Sequence, residues 1–156
     1  RFFTVYGPWG RPDMALFKFT RAILNGDPID VYNHGNMQRD FTYVGDLVEG
    51  IRRLARVPPG AEPVGAADSL SPVAPFRVVN IGNGSPVMLG DFIAAIEEAT
   101  GLKAARNLMP MQPGDVPATW ADADLIEALV GELPHTEIGA GVQAFLGWYR
   151  DWMRGA

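Results

Sequence analysis

The side chains that could hold a charged ligand stand at a few separated places in this 156-residue sequence. Thr4 offers a hydroxyl and Arg11 a cation on either side of Tyr6-Gly7-Pro8, where a strand pattern gives way to a glycine- and proline-rich loop. A strand ending in such a loop before a helix is where α/β folds seat ligands, and an arginine there invites an anionic group. The same residues also read as a plain turn carrying a solvated charge. Arg39 stands beside Asp40 between turn residues and a second strand. Its planar donors could grip two phosphate oxygens together, or it could simply pair with Asp40 at the surface. Gln112 and Asp115 sit in Gln-Pro-Gly-Asp, which reads from its residues as a Pro-Gly turn.

Other chemistries are excluded by what is missing. Gly82-x-Gly84 follows a strand pattern and precedes a helix, but Val87 stands where a dinucleotide fingerprint needs its third glycine. The expectation there is a tight turn. His34 and His135 are isolated, cysteine is absent, and no serine sits in a nucleophile elbow. A net charge of −5 argues against a nucleic-acid partner. No apolar run reaches the ~18 residues of a membrane span.

Periodicity supplies the elements that must position these groups. Phe2, Phe3, Val5 and Tyr6 predict a strand over the first six residues. A helix follows from about Met14 to Asn25, with Asp13 as its N-cap and Gly26 closing it. Ile29 to Tyr32 is a short strand, Asn33 to Asn36 a turn, and Arg39 to Val44 a further strand. Asp46 is expected to cap a helix running past Leu54, before Pro58-Pro59. Residues 58–75 read as an exposed flexible loop. Phe76 to Ile81 predicts a buried strand, Leu89 to Thr100 a helix ended by Gly101, and Ala104 to Met109 a short strand. Asp122 or Asp124 opens a helix ending near Gly131, and Ile138 to Met153 forms the last helix. Its expected core face is Val142, Phe145, Leu146, Tyr149 and Trp152.

The segment from Arg1 through Tyr6-Gly-Pro-Trp-Gly-Arg-Pro-Asp-Met14 resembles the stretch after the catalytic helix of extended short-chain dehydrogenase/reductases. Within them it is most similar to the UDP-glucuronate 4-epimerases. Ile29 to Tyr32 leading to Arg39-Asp-Phe-Thr-Tyr-Val44, and Met109 to Asp122, resemble the same family in the same order. The resemblance implies an α/β fold: the substrate-binding C-terminal part of a Rossmann-like enzyme, with small mixed sheets and helices. Residues 1–12 would be the last part of the Rossmann sheet and a substrate loop; residues 13–156 would form the nucleotide-sugar domain. It also implies an NAD-dependent C4 epimerisation of UDP-glucuronate through a 4-keto sugar, in a cytoplasmic homodimer. By the same resemblance Arg39 meets the diphosphate, Tyr32, Met14 and the strand backbone at Asp30 meet the uracil, and Gln112 and Asp115 lie near phosphate and ribose. Thr4 and Arg11 would hold the uronate carboxylate, and the Phe2 backbone would meet the nicotinamide carboxamide.

The sequence departs from the family in three respects. No tyrosine is followed four residues on by lysine, so the family's base is not in these residues. Several relatives carry arginine where Gln112 stands, and an acidic residue where Gly45 stands. Arg1 opens the sequence inside a strand pattern, which reads as a piece of a longer chain. The rival readings are a UDP-glucuronate decarboxylase or other nucleotide-sugar dehydratase, and a UDP-sugar-binding module without catalysis. The Trp9-Gly10-Arg11 loop resembles the epimerase version.

Overall fold

A computed structural model describes residues 1–155. The first strand, β1 (Thr4–Tyr6), pairs in parallel with β4 (Phe41–Tyr43), Thr4 opposite Phe41 and Tyr6 opposite Tyr43. A parallel pair needs a crossover, and α1 (Ala15–Asn25) lies in it. A second parallel pair joins β2 (Ile29–Val31) to β6 (Arg106–Leu108). The third sheet is mixed: β3 (Gln38–Arg39) lies between antiparallel β5 (Val87–Met88) and parallel β7 (Ala118–Thr119). The remaining helices are α2 (Val44–Leu54), α3 (Leu89–Thr100), α4 (Asp124–Val130) and α5 (Ile138–Gly155). The expected α/β class with small mixed sheets and helices is what forms. No helix among the described residues is long and apolar enough to cross a membrane.

The helices form because each presents one apolar stripe at helical spacing. α1 buries Leu16, Phe17, Thr20 and Ile23; α3 buries Phe92, Ile93 and Ile96; α5 buries Val142, Phe145, Leu146 and Tyr149. Apart from Thr20 and Leu146, these residues join Tyr6, Ile29, Val31 and Phe41 in the main core. Phe41 stacks on Phe92 with ring centroids 4.0 Å apart. Each such fully buried ring contributes roughly 1.5–3 kcal/mol of apolar transfer. A smaller cluster of Leu47, Ile81 and Ile126 lies under α2 and α4. Gly26 ends α1 in the left-handed region at φ 76°, where a side chain would be strained, and its N–H returns to the carbonyls of Ala22 and Ile23.

Several sequence expectations are corrected. Asp13 does not cap α1: Met14 holds that position without a side-chain bond, because the Asp13 carboxylate is engaged by Arg11. Asp46 does not cap α2 either. It lies in the first turn and accepts from the Thr136 N–H at 2.7 Å and hydroxyl at 2.9 Å. Tyr32 opens a 3-10 turn, Tyr32–Gly35, and does not end the strand. The single strand expected from Arg39 to Val44 is two short strands in different sheets, broken at Asp40. Of Phe76 to Ile81 only Ile81 is paired, through a parallel bridge to Phe2. Phe76 itself is exposed. Trp152 is partly exposed, leaning on Trp148 and Phe17 at the edge of the core. The loop at 58–75 has no regular structure but is tied at its end. Asp68 and Arg77 form a two-bond ion pair of 2.7 and 2.8 Å, both side chains shielded from solvent.

Candidate functional site

Strand and helix ends converge on a cavity of about 260 Å³. Its apolar wall is Met14, Ala15 and Phe19 from the start of α1, with Met37, Phe41 and Leu89. Its polar groups are Thr4, Asp30, Tyr32, Arg39 and Asp115. Apolar walls with a few convergent polar groups are the usual composition of a small-molecule site. Among the residues expected to bind substrate, the structure thus brings together Thr4, Met14, Asp30, Tyr32, Arg39 and Asp115.

Arg39 is the centre of the polar side. Its Nη2 donates to the Asp115 carboxylate at 2.7 Å, and its Nη1 to the Gln38 carbonyl at 2.8 Å. The pair is roughly a quarter exposed, so it is screened less than a surface pair and remains open to a ligand on one side. Asp115 reaches Arg39 because the Gln-Pro-Gly-Asp segment is a turn, closed by the Asp115 N–H on the Gln112 carbonyl at 3.1 Å. The segment is therefore the turn its residues predict, and it carries Asp115 to the cavity wall. Gln112 itself is exposed and does not line the cavity. Asp30 lies on the outer face of β2 and accepts from the Asn107 side chain across the β2–β6 pair at 2.8 Å. Tyr32 is held at the rim by the 3-10 turn, which the Asn33 side chain closes on the Asn36 carbonyl at 2.7 Å.

Arg11 lies apart from this cavity. It donates two bonds to Asp13, from Nε at 2.9 Å and from Nη2 at 2.5 Å. A narrow gap of about 30 Å³, with Thr4, Gly10, Arg11 and Met14 in its walls, lies between the cavity and Arg11. Phe2 does not line the cavity either; it lies on a cleft of about 320 Å³ whose walls also include Trp9, Val44, Arg11 and Met14.

Cofactor contact can be tested on the Phe2 backbone. The bonds of its bridge are made by its neighbours: the Ile81 N–H donates to the Arg1 carbonyl, and the Phe3 N–H donates to the Ile81 carbonyl. In a parallel bridge this leaves the Phe2 N–H and C=O facing the opposite side. That edge fits a carboxamide. A phosphate cradle is a different matter. The N–H groups of Asn83 and Gly84, in the turn that superficially suggests one, both donate to Asp40, at 2.9 and 3.0 Å. The Ala121 N–H donates to the same carboxylate at 2.9 Å, and Asp40 is wholly buried. The Gly82 turn is therefore a structural junction whose donors are already used.

Sequence reasoning missed this role of Asp40, and it missed Phe19, Met37, Phe41 and Leu89 as cavity walls. Phe19 is an apolar residue of α1 with nothing to distinguish it from the core residues of that helix. Nothing local marks Met37.

Known proteins resemble this chain along most of its length. Residues 1–67 match the NAD dependent epimerase/dehydratase family. A Rhizobium meliloti protein called probable UDP-glucuronate 4-epimerase is 58% identical over 96% of this chain, which covers 45% of that protein. UDP-glucuronate 4-epimerase 4 of Arabidopsis thaliana is 42% identical over 99% of the chain, covering 36% of its own length. The chain spans less than half the length of these relatives. Among solved structures, UDP-glucuronic acid 4-epimerase from Bacillus cereus, crystallised with UDP-glucuronic acid and NAD, superposes with a TM-score of 0.81 at 27% identity. That match covers 97% of this chain and 44% of the Bacillus protein.

Proposed function

We propose that this chain, which carries an NAD dependent epimerase/dehydratase family domain over residues 1–67, supplies the UDP-sugar seat of a UDP-glucuronate 4-epimerase. The observation that carries the reading is Arg39, tied to Asp115 and turned into a cavity that also holds Tyr32, Asp30 and Thr4. In this reading uracil and ribose occupy the space between Met14, Asp30 and Tyr32, with Asp115 toward the ribose. A guanidinium already fixed by the Gln38 carbonyl and Asp115 meets the diphosphate with little further ordering. About 260 Å³ is below the ~300 Å³ at which drug-sized sites begin, so the sugar would lie beyond it, on the Thr4 side. There Thr4 and Arg11 would hold the uronate carboxylate, with Gln112 near the phosphates only after a movement of its turn.

NAD, when bound, would take a hydride from sugar C4 and return it to the other face. The Phe2 peptide edge would orient its carboxamide. Oxidation at C4 makes a β-keto acid, which loses carbon dioxide when the carboxylate bond aligns with the carbonyl π system. Arg11 and Thr4 would keep that bond out of alignment by fixing the carboxylate, a task that suits a planar fork better than a point charge. The base lies outside this chain, which has no Tyr-x-x-x-Lys, so the chain by itself would not turn over substrate. The proposal includes a cytoplasmic homodimer as the working form.

The test is Arg39→Ala in the intact enzyme, with UDP, UDP-glucose and UDP-glucuronate titrated calorimetrically. All three should weaken alike, because the diphosphate is common to them. Loss of a charge-assisted bond of about 1.5–3 kcal/mol corresponds to roughly tenfold to a hundredfold in affinity. Unchanged UDP affinity would remove Arg39 from the site and the main support for the reading.

A further inference from the structure

We infer that Asp13 sets the affinity for the carboxylate-bearing sugar by competing with it for Arg11, an inference that rests on the function proposed above. The Asp13 carboxylate takes the Nε and Nη2 edge of the guanidinium with two bonds, the arrangement a uronate carboxylate would itself adopt there. The pair is held outside the substrate cavity. Both side chains are mostly in solvent, 72% and 62% exposed, and Asp13 does not line the gap that Thr4 and Arg11 share. Arg11 bound to Asp13 thus has its Nε and Nη2 edge already occupied.

The backbone around the pair is fixed, so the exchange is a side-chain movement. A Cβ on Gly10 would stand 2.9 Å from the Phe145 ring, which holds the loop close against the core. The Met14 N–H donates to the Arg11 carbonyl at 3.1 Å, closing the turn into α1. Trp9 is kept in the left-handed region at φ 62°, an uncommon state for a bulky residue that persists only where its surroundings impose it. Between these anchors the Arg11 rotamer is the free variable. Asp13 is also not the helix cap, so its carboxylate has no structural duty in α1 that a substitution would disturb.

The contest is between two carboxylates of similar strength, and the outcome depends on a pair worth little in water. An exposed ion pair of this kind changes an equilibrium by about 1.4-fold to fivefold. Asp13→Asn and Asp13→Ala in the intact protein should therefore tighten UDP-glucuronate by about 1.4-fold to fivefold. UDP and UDP-glucose, which lack the carboxylate, should bind as to wild type. KM for UDP-glucuronate should fall without a rise in kcat. The advantage should shrink as salt rises from about 0.01 M to 1 M, over which the screening length falls from about 30 Å to about 3 Å. Uronate affinity that is unchanged, or weaker with UDP binding intact, would overturn the inference; weaker binding would mean that Asp13 orients Arg11 for the substrate. A wild type that binds UDP-glucuronate but does not epimerise it removes the proposed reaction, while the comparison of affinities still decides the role of Asp13. A wild type that binds no UDP overturns both.

Discussion

Removing the Asp40 carboxylate should cost this chain about 3 kcal/mol of stability. The expectation follows from three donors. The Ala121 N–H is buried, and leaving it without a partner costs about 1–3 kcal/mol. The Asn83 and Gly84 N–H groups are nearer the surface and can turn to water, so each loses only the net value of its bond, about 0.5–1.5 kcal/mol. The void left beside Gly82 and Ala121 adds to the loss. Relief from burying a carboxylate subtracts from it. Asp40→Ala should thus lower the melting temperature by about 6–12 °C for a domain of this size. Asp40→Asn keeps the shape and one accepting oxygen and should cost about half as much. Urea unfolding with wild-type slope and a lowered midpoint would read the change directly. An Asp40→Ala protein within about 1 kcal/mol of wild type would mean that these amides are satisfied without the carboxylate, and the junction would lose its physical basis.

Two further outcomes can be measured on the same material. Glu97 is buried and accepts from Lys103, the Ala104 N–H and Arg106, and the Lys103 bond leads in lowering its pKa from the usual 4.5 to about 2. A carboxyl lowered on folding stabilises the folded chain above about pH 4.5, and that contribution is lost as pH falls toward about 2. Wild type should therefore lose stability more steeply than Glu97→Gln between about pH 5 and pH 3, and parallel curves of urea midpoint against pH would contradict this. Gly141→Ala should destabilise by about 1–3 kcal/mol, because its new methyl would run into the buried Tyr6 ring, which α5 approaches closely at that glycine. An unchanged thermal midpoint for that variant would show that the ring can yield.

The elements that were legible in the sequence are those whose stability is local. α3 spans Leu89–Thr100 as its stripe and Gly101 predict, and α1 ends at Gly26 as predicted. Most of the failures share a cause: a side-chain or strand partner won over a local rule. Asp13 precedes the cap position and is taken by Arg11, two residues away, while Asp46 sits inside the first turn of α2 and is taken by Thr136, 90 positions on. Phe76 to Ile81 has every local mark of a strand, but a strand is made by its neighbour, and only Ile81 finds one, at Phe2. β5 and β7, each two residues long, have no periodicity to read. β1 has β4 as its neighbour on one side, a pairing that no local pattern announces.

The candidate site was legible where residue type carries the chemistry and illegible where packing does. Arg39 was marked by its guanidinium, which suits an anion, while Tyr32, Asp30 and Asp115 were marked only by the family resemblance of their segments. Phe19 and Phe41 wall the same cavity with side chains that look like any core residue. The Arg39-Asp40 pair shows how a local reading could have gone further. Side chains of consecutive residues in extended backbone point to opposite faces, so two neighbours in a strand are poorly placed to pair with each other. One must face out and the other in. An aspartate forced inward needs donors, and the nearest supply of free N–H groups is a glycine turn such as Gly82-Asn83-Gly84. The arginine left facing the open side then needs its own anion. Asp115 provides one, at 2.7 Å, from a turn that only the tertiary fold brings near. The same alternation that buries Asp40 therefore presents Arg39 to the cavity, and rigidity at the first residue becomes placement of the second. A variant that frees Asp40 should for that reason weaken UDP binding as well as stability, although Asp40 touches no part of the cavity.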